Sequence, residues 1–328
     1  MNIFTKKVEK RMVKLPQKIQ KDLPFLPLFL DEVEETRTHY VAKQAQYKKW
    51  TGSGMPLIVI LAQVPNWFSL NGYNWLIFVA LLIVVPAYIY TAIQTRKQKK
   101  DYKRLFKENI YGYITETKNK NWTFENEPVE FDEIDKNTAG IFDGYIRLLK
   151  KYYNVTGLYN GYPTRITGIN AAFRNQKRGS DKFKGTLIRI KLHEKLPYKL
   201  VIAPNQNYPT PNATGTNTLG LHQQGLSPQA DLEASFAKYF KAYSTKENPP
   251  ILSLTLQRQL VHFITNSKVQ THLYFVDDYL YISLRTNHEM HKIVLAKPEL
   301  IEEAAKYYYE DLTIVDDLLK RLEQGDVF

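Results

Sequence analysis

Residues 50–95 contain no Asp, Glu, Lys or Arg, although the 328-residue chain carries 45 Lys+Arg and 33 Asp+Glu. About 20 apolar helical residues, rising about 1.5 Å each, span the hydrocarbon of a bilayer, so an uncharged stretch of this length reads as two spans. The second, residues 73–93, is dominated by Leu, Ile, Val, Phe and Ala around Pro86, which a membrane helix tolerates better than a soluble one. The first, residues 55–70, is shorter and holds Pro56, Gln63, Pro65 and Asn66. The uncharged residues 51–54 bring it to about the minimum crossing length. Ser69-Leu70-Asn71-Gly72 between them is a turn, Asn-Gly being a strong turn dipeptide.

Basic residues set the orientation. Arg37, Lys43, Lys48 and Lys49 precede the stretch; Arg96, Lys97, Lys99, Lys100, Lys103, Arg104 and Lys107 follow it, and the turn has none. Basic flanks stay cytoplasmic, so both ends of the hairpin, and with them both chain termini, are expected in the cytoplasm. Trp50 together with Arg96 and Lys97 would mark the inner interface, and Trp67 and Trp75 the outer one, as an aromatic belt does. The competing readings are a helical hairpin buried in a soluble protein and a single span with a re-entrant segment. The basic clusters on both sides speak against each. The expected location is a cell (inner) membrane, with the bilayer as first partner.

The formal net charge of +12 invites a nucleic-acid reading, which its distribution weakens. Much of the excess lies in residues 1–21 and 96–104, beside the proposed anchor, where anionic headgroups attract Lys and Arg by about 1 kcal/mol each. Nucleic acid therefore ranks as the less favoured partner. With no cysteine, disulfides, thiolate catalysis and Cys-ligated zinc or iron–sulfur centres are excluded. No cleavable leader is evident.

The chain divides into four parts: a basic amphipathic segment and first stalk helix over 1–49, the transmembrane hairpin over 50–95, a second stalk helix over 96–118, and a cytoplasmic α+β domain over 119–328. In the first part Phe4, Val8, Met12, Leu15 and Ile19 recur at helical spacing among lysines, and the Pro-rich run 23–28 reads as a hinge. Leu30, Val33, Tyr40 and Tyr47 predict one stalk stripe; Tyr102, Leu105, Phe106, Ile110 and Tyr113 predict its partner.

Within the α+β domain, Ile141, Tyr145, Leu148, Leu149 and Tyr152 predict a helix over 137–153. Residues 154–159 and 162–173 flank Asn160-Gly161, a hairpin signal. Residues 182–193 alternate with one slip of phase, which a bulge at Leu187-Ile188 would explain; with 198–203 they complete a four-strand antiparallel meander. A long loop covers 204–230. Short helices follow over 231–240 and 253–265, then a second hairpin, 272–276 with 279–284, around Asp277-Asp278. A long C-terminal helix ends the chain, with Ile301, Ala305, Tyr308, Leu312, Val315, Leu319 and Leu322 in a heptad seam. That seam either packs on its own domain or joins two copies as a homo-oligomer.

Candidate chemistry is sparse. Asp277 and Asp278 suit a carboxylate pair, or simply a turn that Asp tolerates. His288 and His291 are three apart, where the zinc-protease pattern needs four. Residues 179–186 lack the phosphate-loop Gly-Lys-Ser/Thr. No catalytic constellation, metal site or cofactor is assigned. The remaining candidate is basic: Arg174, Lys177, Arg178, Lys182, Lys184, Arg189, Lys191 and Lys195 stand against Asp181 and Glu194. With the proposed bulge, Lys182, Lys184, Arg189 and Lys191 would share one outward face able to hold phosphates of nucleic acid or lipid; the plain alternative is a solvated strand face. The ligand-binding residues taken from this stretch are Arg174, Lys177, Arg178, Lys182 and Lys184.

The order of landmarks over residues 96 to 290 resembles a bacterial membrane-anchored family known as a domain of unknown function, number 3137. The resemblance lies in Phe183-Lys184-Gly185, Phe236, Tyr239-Phe240, Tyr243-Ser244, Leu254-Thr255 and residues 275–282. The family pattern has an acidic and a basic position between the Tyr-Ser and Leu-Thr elements, where this chain has Thr245-Lys246-Glu247-Asn248-Pro249-Pro250. The resemblance implies a bacterial membrane protein with a cytoplasmic α+β domain and supplies no catalytic residues. The favoured expectation is a non-enzymatic, membrane-tethered binding or scaffolding protein with a protein partner. The alternative is a membrane-attached enzyme or binder acting on phosphorylated ligands, nucleic acid or anionic lipid through the 174–195 face.

Overall fold

A computed structural model describes residues 16–67, 74–126, 145–175, 179–205, 225–286 and 299–328. It separates into two compact units, one of residues 1–110 and 292–303, the other of 111–291 and 304–328.

The first unit is helical. Helix α1 (Gln17–Asp22) stops at Leu23, and the Pro24-Phe25 turn lets α2 (Leu26–Trp67) begin afresh. Pro27 sits in its first turn, where the missing N–H leaves no intrahelical bond unmade. Helix α3 (Asn74–Phe106) packs along α2. Leu26, Leu30 and Val33 of α2 and Tyr102 and Phe106 of α3 are fully buried; Tyr40, Tyr47 and Leu105 are half-buried. The apolar stripes predicted on these two helices are therefore turned inward at these positions. Pro86 is accommodated inside α3 without ending it.

A π-helical turn, Lys107–Tyr111, joins α3 to α4 (Gly112–Lys118). A π turn adds one residue to the helical repeat and rotates the buried stripe. Inward positions are 102 and 106 before it, 110 and 111 within it, and 114 and 115 after it.

Among the described residues the second unit is built on one nine-stranded sheet in which neighbouring strands pair antiparallel, in the order β1-β2-β3-β4-β9-β8-β5-β7-β6. Its strands are β1 (Trp122–Glu125), β2 (Tyr145–Tyr159), β3 (Tyr162–Asn175), β4 (Gly179–Lys191), β5 (Leu200–Pro204), β6 (Ser227–Pro228), β7 (Phe240–Ser244), β8 (Gln270–Val276) and β9 (Tyr279–Arg285). Helices α5 (Ala234–Tyr239), α6 (Leu254–Ser267) and α7 (Glu299–Gln324) complete it. This is the α+β fold expected, with its antiparallel sheet and long C-terminal helix.

Three expectations are corrected. Residues 145–153 are not helical but form the first half of β2; residues 137–144 lie outside the described residues. The meander holds for β2, β3 and β4 only, because β9 and β8 intervene before β5. No bulge occurs at Leu187-Ile188: β4 stays in register with β3 throughout and with β9 over 186–191. Leu187 and Ile188 are both buried because β4 is a central strand covered on both faces. The register shifts fall in β2 instead, at Ile146/Leu148 and Lys151/Tyr153.

Both hairpin turns form as read. Asn160 and Gly161 adopt φ 48° and 87°, the paired positive values of a two-residue turn between Tyr159 and Tyr162. Helix α6 opens on Ser253, whose side chain accepts from the Leu256 N–H at 3.1 Å, one of the orphan donors a helix start must satisfy.

Candidate functional site

Because side chains alternate across a strand, the unbroken register of β3, β4 and β9 sorts residues onto two faces. One face carries Thr186, Ile188 and Ile190 of β4 and meets helix α7. There Tyr153 joins its hydroxyl to Thr186 Oγ1 at 2.8 Å and donates to Asp311 Oδ2 at 3.3 Å. The Tyr308 hydroxyl pairs with Thr115 Oγ1 at 2.6 Å. Tyr111 stacks on Tyr308 with centroids 4.0 Å apart, and Tyr153 meets Tyr308 edge-on at 4.7 Å. Burial first, and then the Asp311 charge, raise the pKa of Tyr111 and Tyr153; burial leads for Tyr308 as well. These phenols stay protonated, which keeps Tyr153 a donor to Asp311. Gly168 makes the space: a Cβ there would come within 2.3 Å of the Tyr153 ring.

Every member of the predicted heptad seam is buried. Tyr308 contacts the sheet and α4, while Gly325 after the helix end leaves room for α6, where a Cβ would meet Leu256 Cα at 3.0 Å. Arg321 of α7 also donates to Gln259 of α6 at 3.3 Å.

The opposite face carries a second apolar cluster, built from Ile169, Ala171, Phe183, Leu187, Val201, Ala203, Leu226, Tyr243, Tyr274, Val276 and Tyr281. None of these is a helix residue. Here the basic stretch of the sequence is divided. Lys184 shares the parity of Thr186 and Ile188 on the α7 face; Arg189 and Lys191 share that of Phe183 and Leu187 on the other. The single basic face is thus corrected, since it required the bulge that does not exist. Lys177 and Arg178 lie outside the described residues, as do the side chains of Arg174 and Lys182.

The Asp277-Asp278 turn is explained by backbone chemistry. Asp277 takes φ 53°, a left-handed conformation Asp tolerates. The Asp278 carbonyl accepts from Leu192 N–H at 2.7 Å and the Asp277 carbonyl from Leu196 N–H at 2.8 Å. The turn thereby fastens the connection that leaves β4, and Lys195 pairs with Asp277 at 2.9 Å. Gly185 has a similar duty: a Cβ would lie 1.9 Å from the Leu284 carbonyl oxygen of β9. His288 and His291 lie outside the described residues, among which no cluster of His, Asp or Glu could hold a metal ion.

Sequence reasoning passed over one polar group on the second face. His272 stands opposite Ser283 and Gln270 opposite Arg285 on the paired strands β8 and β9. Burial, reinforced by the Arg285 charge, lowers the His272 pKa to about 4. Two alternating strands read from sequence as one hairpin; only their register brings these four side chains onto one patch.

In the helical unit, α3 exposes Leu82, Val85, Tyr88, Ile89, Tyr90 and Ile93, Leu82 to 73 %. At about 100° per residue these cover roughly 200° of the helix circumference. Arg96 and Lys97 follow, both exposed. Among the described residues no helix is long and apolar enough to cross a membrane; the side chains of residues 50–81, including Trp50, Trp67 and Trp75, stand outside that description.

These features define an α+β protein: a nine-stranded antiparallel sheet with a long C-terminal helix on one face, joined in sequence to a pair of long helices. Residues 181–324 match the family described as Protein of unknown function (DUF3137), so over those residues the family resemblance is shown. The match starts later than the sequence landmarks suggest and runs on through α7. No curated protein matches the chain. Among solved structures it is similar to the mycobacterial trehalose monomycolate transport factor A, TtfA, at 10 % identity and a TM-score of 0.30, covering 61 % of this chain and 88 % of that one.

Proposed function

We propose that this chain is a membrane-tethered, non-enzymatic binding or scaffolding protein. In this reading the hairpin of α2 and α3 crosses the bilayer twice and presents the sheet unit to a partner on the cytoplasmic side. The observation that carries it is the broad exposed apolar surface of α3 from Leu82 to Ile93, continuous in sequence with the uncharged residues 50–81 and closed by Arg96 and Lys97. Water penalises such a surface and lipid does not. The basic residues at both ends and none in the turn support the orientation.

The absence of cysteine makes the test direct. Single-cysteine variants Gly72→Cys and Thr117→Cys are expressed in cells and challenged with a membrane-impermeant thiol reagent. Gly72→Cys is expected to label in intact cells, and Thr117→Cys only after permeabilisation. Equal labelling of both, or full release of the protein by alkaline wash without detergent, overturns the tether. Turnover of a substrate by the purified protein, abolished by one carboxylate or His substitution, overturns the non-enzymatic part.

A further inference from the structure

Helix α3 carries one stripe that changes character along its length. At about 100° per residue, Leu82, Val85, Ile89 and Ile93 share a face with Arg96, Lys100, Lys103 and Lys107, all eight within about 80° of arc. The first four are apolar and exposed. Of the cations, Arg96, Lys100 and Lys103 are exposed, and Lys107, the first residue of the π turn, is half-buried. The acids nearby are turned aside or occupied. Asp101 and Glu108 lie roughly 100° or more around the helix from the middle of the four cations. Glu108 engages Arg104 at 3.9 Å, and Glu34 of α2 is held by Arg37 at 2.6 Å. Among the described residues no carboxylate pairs with any of the four cations. Burial first, and then the Lys103 charge, lower the pKa of Lys107, as expected of a cation with no counter-charge beside it.

We propose that Arg96, Lys100 and Lys103 form a binding site for the phosphate headgroups of anionic phospholipid. The inference rests on the tether reading and adds to it the class of lipid that the tether takes up. The apolar half of the stripe ends at Ile93, so the next turn of the same face leaves the hydrocarbon among the headgroups. A bilayer about 40–45 Å thick with about 30 Å of hydrocarbon has roughly 5–7 Å of headgroup on each side. Lys100, Lys103 and Lys107 stand about 6, 10 and 16 Å beyond Arg96 along the helix. Lysine stems reach back toward the interface, which keeps Lys100 and Lys103 in that layer and leaves Lys107 at its outer margin. A second copy set alongside in the same orientation would bring cation against cation on this face. Zwitterionic lipid carries no net charge to meet the ladder, and anionic lipid does.

The test places the full chain in phosphatidylcholine nanodiscs doped with a trace of pyrene-acyl phosphatidylglycerol or pyrene-acyl phosphatidylcholine, and reads energy transfer from the intrinsic tryptophans. At low salt phosphatidylglycerol is expected to be preferred on the order of tenfold or more, and the preference to shrink as salt is raised. R96Q and K100Q are each expected to lower it about threefold, K103Q about twofold, and K107Q hardly at all. The triple variant R96Q/K100Q/K103Q should abolish the preference while melting as the parent does. K120Q/K199Q/K241Q, which removes the same charge from three exposed lysines of the sheet unit, should keep it. The site is overturned if the parent shows no preference, if the triple variant stays within about twofold of the parent, or if the sheet-unit control loses as much. An effect of K107Q equal to that of R96Q also overturns it, because a headgroup layer does not extend that far and an acidic helix of a partner protein does. A parent that is not retained in the nanodiscs overturns the tether and the site together, whereas retention without preference overturns the site alone.

Discussion

The helix pair and the sheet unit treat apolar surface in opposite ways. In the sheet unit most of the described Leu, Ile, Phe and Tyr side chains are turned inward, and the central strand β4 buries neighbours in sequence on both faces. In α3 Leu82, Val85, Tyr88, Ile89, Tyr90 and Ile93 are turned outward. The same hydrophobic effect cannot favour both arrangements in one solvent. The difference teaches that the exposed apolar face of α3 needs a cover that the sheet unit does not, and the proposed tether would supply it with hydrocarbon.

Substitutions at five positions, one of them read through a pH titration, sharpen or break that contrast. The largest effect is expected from Gly185→Ala, which drives a Cβ to 1.9 Å from the Leu284 carbonyl and forces β9 off β4. The expected cost is 3 kcal/mol or more, in the range of severe core defects, read as early loss of the cooperative melt in detergent. If melting is unchanged, the β4–β9 approach is not what demands glycine. Leu82→Lys is expected to leave the melting of the sheet unit unmoved while reducing membrane integration. A Lys at mid-bilayer costs about 2.5–3.5 kcal/mol, whereas at a water-exposed position it costs nearly nothing. Recovery of the variant in the membrane fraction at parental yield would erase the contrast.

The third is a pH dependence. His272 is held near pKa 4 in the folded state, against about 6.5 unfolded. A depressed folded value means that the unfolded chain binds the extra proton first. Its stabilisation is therefore complete above about pH 6.5 and declines as pH falls to about 4, by up to about 3 kcal/mol. Chemical denaturation of the parent and of His272→Gln at pH 7.5 and 4.5 should show a smaller loss in the variant. Asp311→Ala removes the acceptor for the buried Tyr153 hydroxyl and is expected to cost about 1–3 kcal/mol. The smallest effect belongs to the Asp277 turn. Asp277→Gly should be neutral, while Asp277→Val, forced to φ 53°, should cost about 1–2 kcal/mol. Equal melting of the two would remove the backbone explanation for this residue.

Much of the sheet unit is legible where alternation is clean or a turn dipeptide is explicit: the Asn160-Gly161 hairpin, the β8–β9 hairpin, and the seam of α7. The errors have physical causes. Each bulge in β2 inserts one residue, reverses the alternation and turns steps of two into steps of three, so Tyr145, Leu148, Leu149 and Tyr152 imitate a helix. In β4 the consecutive Leu187 and Ile188 look like a slip of phase because a strand buried on both faces has no alternation to show. The misplaced basic face follows from that one error. Strand β7 is hidden in the sequence because its five residues, Phe240–Ser244, follow a helix without a break.

Sequence alone determined the uncharged stretch and its basic flanks, the exclusion of cysteine chemistry, the apolar stripes of the helix pair, the hairpin turns and the resemblance shown over residues 181–324. Those are properties of composition, period and local conformation, and they need no distant neighbour. Tertiary structure decided the strand order, with β9 and β8 inserted between β4 and β5, and the division of the basic residues between two faces. It also closed the Tyr153–Asp311–Tyr308 network behind the sheet. Each of these depends on register between segments far apart in the chain, and a shift of one residue would send every side chain to the other face.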